Sequence, residues 1–291
     1  MRTRALIVTG YGINAQDELA VAFEKAGAFA GVQHIQNVIE CPDILLKADF
    51  LGFPGGFSFG DHLGSGRVLA NLLVLKLRPV LREFIARGGL VIGICNGFQV
   101  LVKTGFLPGT SVLSDGNDCK EGSYYNDNSG RTTGDHEVFK ASADTSPMNE
   151  EGCEPQVSLI HNQNGTFIDT WVDVEFPENS RCVWTRGLAP RLLPIRHGEG
   201  RFVACDAVLD ALEQKGMVAV RYTSNPNGSM RDIAGICDWT GRVFGLMPHP
   251  EASIYPEVHP ERRRSNENLL GLDIFANAVA FREEMIDTKV I

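Results

Sequence analysis

The stretch Leu90-Val91-Ile92-Gly93-Ile94-Cys95-Asn96-Gly97-Phe98-Gln99-Val100-Leu101-Val102 decides the reading of this chain. Apolar, β-prone sequence runs into a G-x-C-x-G turn, and a second apolar stretch follows in helical register. That order of strand, tight turn and helix raises the central side chain of the turn above a sheet edge. The flanking glycines are needed because a Cβ there would collide with neighbouring chain. At the start of a helix, unpaired N–H groups and the helix dipole favour negative charge, so a sulfur at Cys95 is placed to act as a nucleophile. A cysteine merely filling a core gap is the alternative for an isolated residue; the strand, glycines and helix around Cys95 set it apart from the other six.

Outward from this turn, the first half of the chain alternates apolar runs with amphipathic stretches, as parallel strands crossed over by helices do. Ala5 to Val8 reads as a first strand. Leu19, Ala22, Phe23 and Ala26 recur at helical spacing, with Asp17 and Glu18 in the first turn and Gly27 closing the helix. A second strand is expected near His34 to Ile39 and a third at Phe50 to Phe53, ending in Pro54-Gly55-Gly56. Pro79 is expected to open a helix carrying Val80, Leu81, Phe84 and Ile85, stopped by Gly88-Gly89. From about 114 to 156 the composition turns to Asn, Asp, Ser, Gly, Thr and Glu, which reads as a polar surface insertion. Beyond it, Trp171 to Phe176, Leu192 to Ile195, Phe202 to Cys205 and Val218 to Tyr222 form a β-rich region. Leu272, Phe275, Ala276 and Val279 mark a C-terminal amphipathic helix. The expected architecture is α/β: a flavodoxin-like, open and mostly parallel sheet flanked by helices, with an added β-rich region, in one domain over 1–291.

Length and composition agree with that reading. The 291 residues, 43% apolar and 22% charged, suffice for a full core without staples. A net charge of −9 repels phosphate backbones and anionic lipid, which argues against nucleic-acid and membrane partners. Seven cysteines without a C-x-x-C pair signal neither a disulfide framework nor a zinc ribbon, and no metal site is expected. The opening MRTRALIVTG holds too short an apolar run for a signal-peptide core, so a cytoplasmic, reducing location is expected. The basic run Arg262 to Arg264, set among acidic and amide residues, reads as a solvated face.

A thiolate nucleophile needs a proton shuttle, and histidine is the side chain suited to it near neutral pH. Of seven candidates, His249 follows the apolar run Val243 to Met247, which places it at a strand's C-terminal end, where open α/β sheets carry their sites. Glu251, two residues on, can hold the imidazole's tautomer and stabilise its charged form. Taken alone the segment could equally be a turn with a surface histidine; paired with Cys95 it completes a Cys-His-Glu set. Gly55-Gly56-Phe57 at the end of the third strand, with the amide of Asn96 after the nucleophile, supplies donors for an oxyanion. No G-x-x-x-x-G-K-[ST] occurs, so a phosphate-loop reading of the glycine-rich segment lacks support.

GICNGFQ around Cys95, GGFSFGDHLGSG from Gly55 to Gly66, PIRHGEGR from Pro194 to Arg201, NPNGS from Asn225 to Ser229 and MPHPE from Met247 to Glu251 together resemble the class I glutamine amidotransferases. The HGEG, NPNGS and GGFSFGD blocks resemble the branch that serves phosphoribosylformylglycinamidine synthase. The blocks run in family order over nearly the whole chain. The resemblance implies that Cys95 attacks the side-chain amide of glutamine to give a thioester and ammonia. His249 would act as base and acid, Glu251 as its orienting partner, and the amides of Gly56 and Asn96 as the oxyanion hole. Gln99, Gly55 and Phe57 would help hold the substrate. His197, Glu199, Asn225 and Asn227 would lie near an ammonia path or a subunit interface, the alternative for HGEG being a tight polar turn. The resemblance also implies a synthetase subunit that uses ATP and Mg²⁺ to convert formylglycinamide ribonucleotide to its amidine in purine biosynthesis, and a third small subunit, with no cofactor in this chain. Two departures stand out: the 114–156 insertion, and Ala252 after Glu251, where relatives often read Met-Pro-His-Pro-Glu-Arg. Competing readings are another class I amidotransferase or a cysteine hydrolase of the same fold, and a non-catalytic homologue kept for assembly.

Overall fold

A computed structural model describes residues 2–60, 64–109, 112, 156–262 and 270–288. Apart from Gln156, the polar insertion expected over 114–156 lies outside the described residues. So do Arg263 and Arg264 of the basic run.

The chain runs β1 (Arg4–Thr9), α1 (Gln16–Lys25), β2 (Phe29–His34), α2 (Ile35–Glu40), β3 (Phe50–Phe53), α3 (Arg67–Leu72), α4 (Arg78–Ala86), β4 (Leu90–Ile94) and α5 (Asn96–Lys103). It continues with β5 (Val157–His161), β6 (Ile168–Glu175), β7 (Arg191–His197), β8 (Glu199–Ala204), α6 (Asp206–Gln214), β9 (Val218–Tyr222), β10 (Ile233–Cys237), β11 (Val243–Leu246) and α7 (Leu272–Thr288). Among the described residues nine strands form one sheet in the order β2-β1-β3-β4-β11-β10-β9-β6-β7, and β5 pairs with β8 in a separate ribbon. The first five strands of that order are parallel, and each of the remaining four is antiparallel to its neighbour. The mostly parallel sheet with a β-rich addition is therefore the architecture the sequence implied.

The central strands are buried along their whole length, β3, β4, β10 and β11 without exception, because helices cover the parallel part of the sheet on both faces. On one face α1 and α7 meet: the Phe23 ring lies 5.3 Å from both Phe50 and Phe275, and Trp184 closes the cluster at 6.2 Å from Phe23 and from Phe244. The Trp184 indole N–H donates to the Arg242 carbonyl at 3.0 Å, which satisfies the one polar atom in that cluster.

Two sequence expectations are corrected, and a third is extended. The strand expected over His34 to Ile39 is instead the end of β2 followed by α2; His34 caps this helix, its Nδ1 accepting from the Gln36 amide at 3.2 Å. Ile35 and Val38, three apart, are the buried pair, so helical period wins over the β-branched composition that suggested a strand. Pro79 stands in the first turn of α4, as the sequence implied, but further helical chain precedes it. The helical path begins at Arg67, passes through a π-type segment at Leu73–Leu77, and re-enters α geometry at Arg78. A widened turn ahead of a proline relieves the clash of its ring with the carbonyl four residues back. Finally, Cys205 is disulfide-bonded although no framework was signalled, while Cys41, Cys95, Cys182 and Cys237 are free thiols; cysteine spacing carries little information about a lone pairing.

The elbow depends on close backbone approach. A Cβ on Gly97 would overlap the Phe53 carbonyl oxygen of β3, and one on Gly93 would stand 2.6 Å from the Gly97 carbonyl oxygen. Gly97→Ala should lower the unfolding free energy by about 1–3 kcal/mol through forced backbone displacement, measured by denaturant titration. A change within error of zero would show that α5 is not seated on β3 as described.

Candidate functional site

The site forms where two neighbouring parallel strands end. β4 and β11 pair in the register Ile94↔Leu246, and the Cys95 amide donates to the Leu246 carbonyl at 2.8 Å. Cys95 therefore leaves β4 level with the end of β11, and the chain beyond β11 reaches His249 three residues later. The His249 amide donates to the Pro194 carbonyl of β7 at 2.8 Å, which fixes the backbone that carries the imidazole.

Cys95 holds φ 51° and ψ −104°, a conformation seldom adopted by a residue with a side chain. It is 7% exposed, and its sulfur lies 3.6 Å from the Arg196 carbonyl oxygen. His249 and Glu251 are buried, with Nδ1 of the imidazole 2.6 Å from Oε1 of the carboxylate. Gly55 packs against both partners: a Cβ on it would stand 2.8 Å from His249 Cε1 and 3.6 Å from Cys95 Cβ. The structure thus brings together Cys95, His249, Glu251 and Gly55.

Burial alone would push the His249 pKa down. The charge and hydrogen bond of Glu251, together with the interaction with Cys95, outweigh it and raise the value to about 10. Nε2 of His249 makes no hydrogen bond of normal geometry, so the Cys95 contribution is better read as proximity of charge than as a formed S···H–N bond. Tyr222 of β9 is also raised, by burial first and then by the charge at Cys95, and its hydroxyl is buried without a partner. Neither Tyr222 of β9 nor the Arg196 carbonyl of β7 carries a sequence signal, since both stand on strands far from Cys95 in the sequence.

The oxyanion candidates sit beside this group. Gly56 has φ 140° and forms an isolated bridge with Ile13. The hydrogen bonds of that bridge run from Phe57 N–H to the Gly12 carbonyl, 2.7 Å, and from Asn14 N–H to the Gly55 carbonyl, 3.4 Å, leaving the Gly56 N–H outside it. Asn96 is the first residue of α5, where amides have no intrahelical acceptor. The Phe57 ring is half exposed and 6.4 Å from that of Phe167, while its N–H is committed to Gly12.

Gln99 is buried. Its side chain accepts from Asn96 Nδ2 at 3.1 Å and donates to the Glu199 carbonyl at 2.5 Å. His197 is buried on β7. Asn162 donates its amide N–H groups to the Thr166 and His197 carbonyls, so its oxygen faces His197 Nδ1 at 3.0 Å. Nδ1 must therefore carry the proton and Nε2 the lone pair. Burial, then the charge on His249, lower the His197 pKa to about 4, and Nε2 has no partner. Asn162 was not singled out in the sequence, where a lone asparagine in a polar stretch carries no pattern. Asn225 and Asn227 organise their own turn: Asn225 Oδ1 accepts from the amides of Asn227, Gly228 and Ser229, and Asn227 Oδ1 accepts from Ser229. That turn braces the neighbouring strands, since the Asn227 carbonyl accepts from Gln163 N–H and Ser229 Oγ from Phe202 N–H. Among the described residues no group of three or more His, Cys, Asp or Glu is placed to hold a metal ion, and no helix is long and apolar enough to cross a membrane.

A strained cysteine between strand and helix, facing a buried His–Glu pair at the C-terminal end of a mostly parallel sheet, defines the class I glutamine amidotransferase fold. Residues 2–130 and 142–282 match the family model described as CobB/CobQ-like glutamine amidotransferase domain. The chain is 35% identical to phosphoribosylformylglycinamidine synthase subunit PurQ of Dehalococcoides mccartyi, over 98% of this chain and 99% of that one. It is 34% identical to the protein of the same name from Methanococcus maripaludis strain S2, over 96% and 97%. The chain belongs to this PurQ family of glutamine amidotransferases. Among solved structures it is similar to PurLQS from Thermotoga maritima, with a TM-score of 0.65 and 26% identity over 97% of this chain and 99% of that one. It also shares its fold with the acivicin-bound CTPS glutaminase domain of Trypanosoma brucei, at TM-score 0.51 and 16% identity over 96% and 94%.

The two imidazoles act on stability in opposite directions. His249 binds its proton more tightly folded than unfolded, so its contribution is complete below pH 6.5 and is lost as pH rises toward about 10. His197 binds its proton less tightly folded, so stability falls as pH drops from 6.5 toward about 4. Unfolding free energy measured against pH should show both slopes, and Glu251→Gln should flatten the alkaline one. An alkaline slope unchanged in that variant would remove the His249–Glu251 pair as its source.

Proposed function

We propose that this chain is the glutaminase subunit of a phosphoribosylformylglycinamidine synthase, with Cys95, His249 and Glu251 as its catalytic triad. One observation carries the reading: in a member of this family, the strained Cys95 meets an imidazole that Glu251 holds protonated at neutral pH. A thiolate beside an imidazolium is ready to attack a carboxamide carbon. The Cys95 sulfur forms a bond to the side-chain carbonyl carbon of glutamine, and the carbonyl π pair moves to oxygen. The amides of Gly56 and Asn96 receive that oxyanion. As it collapses, the C–N bond breaks and His249 gives its proton to the departing nitrogen, which leaves as ammonia. Neutral His249 then takes a proton from water as the water attacks the thioester; glutamate departs and the Cys95 thiolate and the imidazolium are restored.

Gln99, Gly55 and Phe57 line the approach to this centre in that account. Gln99 does so by shaping the wall, because its side-chain oxygen and one N–H are already engaged. The ammonia serves a partner synthetase subunit, which holds ATP, Mg²⁺ and formylglycinamide ribonucleotide, with a third small subunit in the assembly and a cytoplasmic location. Support for the partner comes from the names of the PurQ relatives and from the solved PurLQS structure.

In the assembled enzyme, Cys95→Ala should abolish synthesis from glutamine and spare synthesis from added ammonium. Loss of both would assign Cys95 a structural role instead. His249→Ala should slow the glutamine reaction about a hundredfold or more, and near-normal turnover would take it out of the mechanism. A glutamine-analogue electrophile should label Cys95 alone among the free thiols; even labelling of several would favour a non-catalytic homologue.

A further inference from the structure

The end of β7 touches both halves of the catalytic pair through its backbone. Pro194 accepts from the His249 amide at 2.8 Å, and two residues on, the Arg196 carbonyl oxygen lies 3.6 Å from the Cys95 sulfur. β7 is an edge strand of the nine-stranded sheet, and its ladder with β6 ends at the pair Ile168↔His197. Just beyond, the chain turns at Gly198 into β8. The Arg196 carbonyl therefore stands at the last rung of the sheet, and what secures it there must come from outside the ladder.

Asn162, which follows β5, supplies that hold. It is 2% exposed, and its side chain uses every donor and acceptor it has. Nδ2 donates to the His197 carbonyl at 2.8 Å and to the Thr166 carbonyl at 2.9 Å, while Oδ1 faces His197 Nδ1 at 3.0 Å and accepts from the Gly200 amide at 3.3 Å. Its backbone N–H donates to the Gly198 carbonyl at 2.8 Å. One residue thus bonds His197, Gly198 and Gly200 around the turn. A Cβ on Gly200 would overlap the His197 ring, so the ring is pressed flat on the same turn. Glu199 is engaged elsewhere: its carboxylate accepts from the Ser65 amide of the glycine-rich loop at 3.4 Å and lies 3.5 Å from His161 Nε2. A single Cα, that of His197, separates the carbonyl that Asn162 holds from the peptide plane whose oxygen meets the sulfur.

We propose that Asn162 is a positioning residue for the glutaminase reaction: by holding the His197 peptide and ring at the end of β7, it keeps the Arg196 carbonyl against the Cys95 sulfur. The proposal rests on the glutaminase reading given above. A carbonyl oxygen carries partial negative charge, so it repels a thiolate and limits where the sulfur can stand. Misplacing an attacking atom by about 1 Å costs on the order of a hundredfold in rate. Asn162 itself touches no reacting atom, and its loss shows in kcat more than in KM.

Two variants and one spectrum test this. Asn162→Ala removes every side-chain bond; Asn162→Asp keeps an oxygen for His197 Nδ1 but sets a second oxygen against the Thr166 and His197 carbonyls. In the assembled enzyme both should lower kcat for glutamine on the order of ten- to a hundredfold, with KM changed little. Nitrogen NMR of the histidine rings should show His197 protonated at Nδ1 in the wild type and in Asp, and a mixture of tautomers in Ala, a change that loss of general stability would not produce. A kcat within twofold of wild type in Ala or Asp, or a raised KM with kcat intact, would overturn the proposal. Should neither variant fold, the wild-type spectrum decides: a proton on Nε2 of His197 would show that Asn162 does not hold the ring. A wild-type enzyme that releases no glutamate from glutamine would instead overturn the glutaminase reading, while the ring spectrum would still judge the contact.

Discussion

The pairing of β4 with β11 is the constraint on which the rest of this molecule depends. It is a parallel contact between segments far apart in sequence, and parallel neighbours align the ends of their strands. Cys95 leaves one strand and the His249 segment leaves the other at the same level of the sheet. A shift of register by one residue would turn the buried side chains of β11 to the opposite face and carry the imidazole away from the sulfur. Burial of both strands on both faces resists such a shift.

Around this pairing the site is buried, and burial sharpens each charge. His249 is buried, which on its own would favour a neutral ring, yet the carboxylate 2.6 Å away reverses the balance. His197 has no such carboxylate. Its Nδ1 meets only the amide oxygen of Asn162, and burial leaves it neutral. Two buried histidines near one another therefore hold opposite protonation states at neutral pH because their hydrogen-bond acceptors differ in charge. The HGEG and NPNGS segments do their visible work one layer back, bracing β8 and the strand that carries His197.

Much of this was legible in the chain itself. Strands at Ala5–Val8, Phe50–Phe53, Leu90–Ile94 and Val218–Tyr222 stand where apolar runs end in glycine or turn residues. The elbow was legible because its geometry demands small residues at fixed positions, and demand of that kind leaves a pattern. The α2 segment was misread because six residues are too few for periodicity to outweigh β-branched composition. The helical turns ahead of Pro79 left no signal because a proline in a first turn reads as the start of a helix, and here a π-type segment joins that start to an earlier helix. Asn162 and Tyr222 were invisible for a different reason: Asn162 acts on His197 and Gly200, 35 and 38 residues away, and Tyr222 stands on a strand remote in sequence from Cys95, so neither leaves a local trace.

By itself, the sequence determined the chemistry on offer: a cysteine at a strand-to-helix turn, a histidine bracketed by prolines with a glutamate two residues on, and glycines wherever backbones had to touch. These are local requirements, written into neighbouring residues. Only the tertiary structure decided which groups meet, that His249 is charged and His197 neutral, and that Glu199 turns back onto the glycine-rich loop. Strand register and burial set those outcomes, and both arise from the summed packing of the whole sheet, which no short stretch of chain encodes.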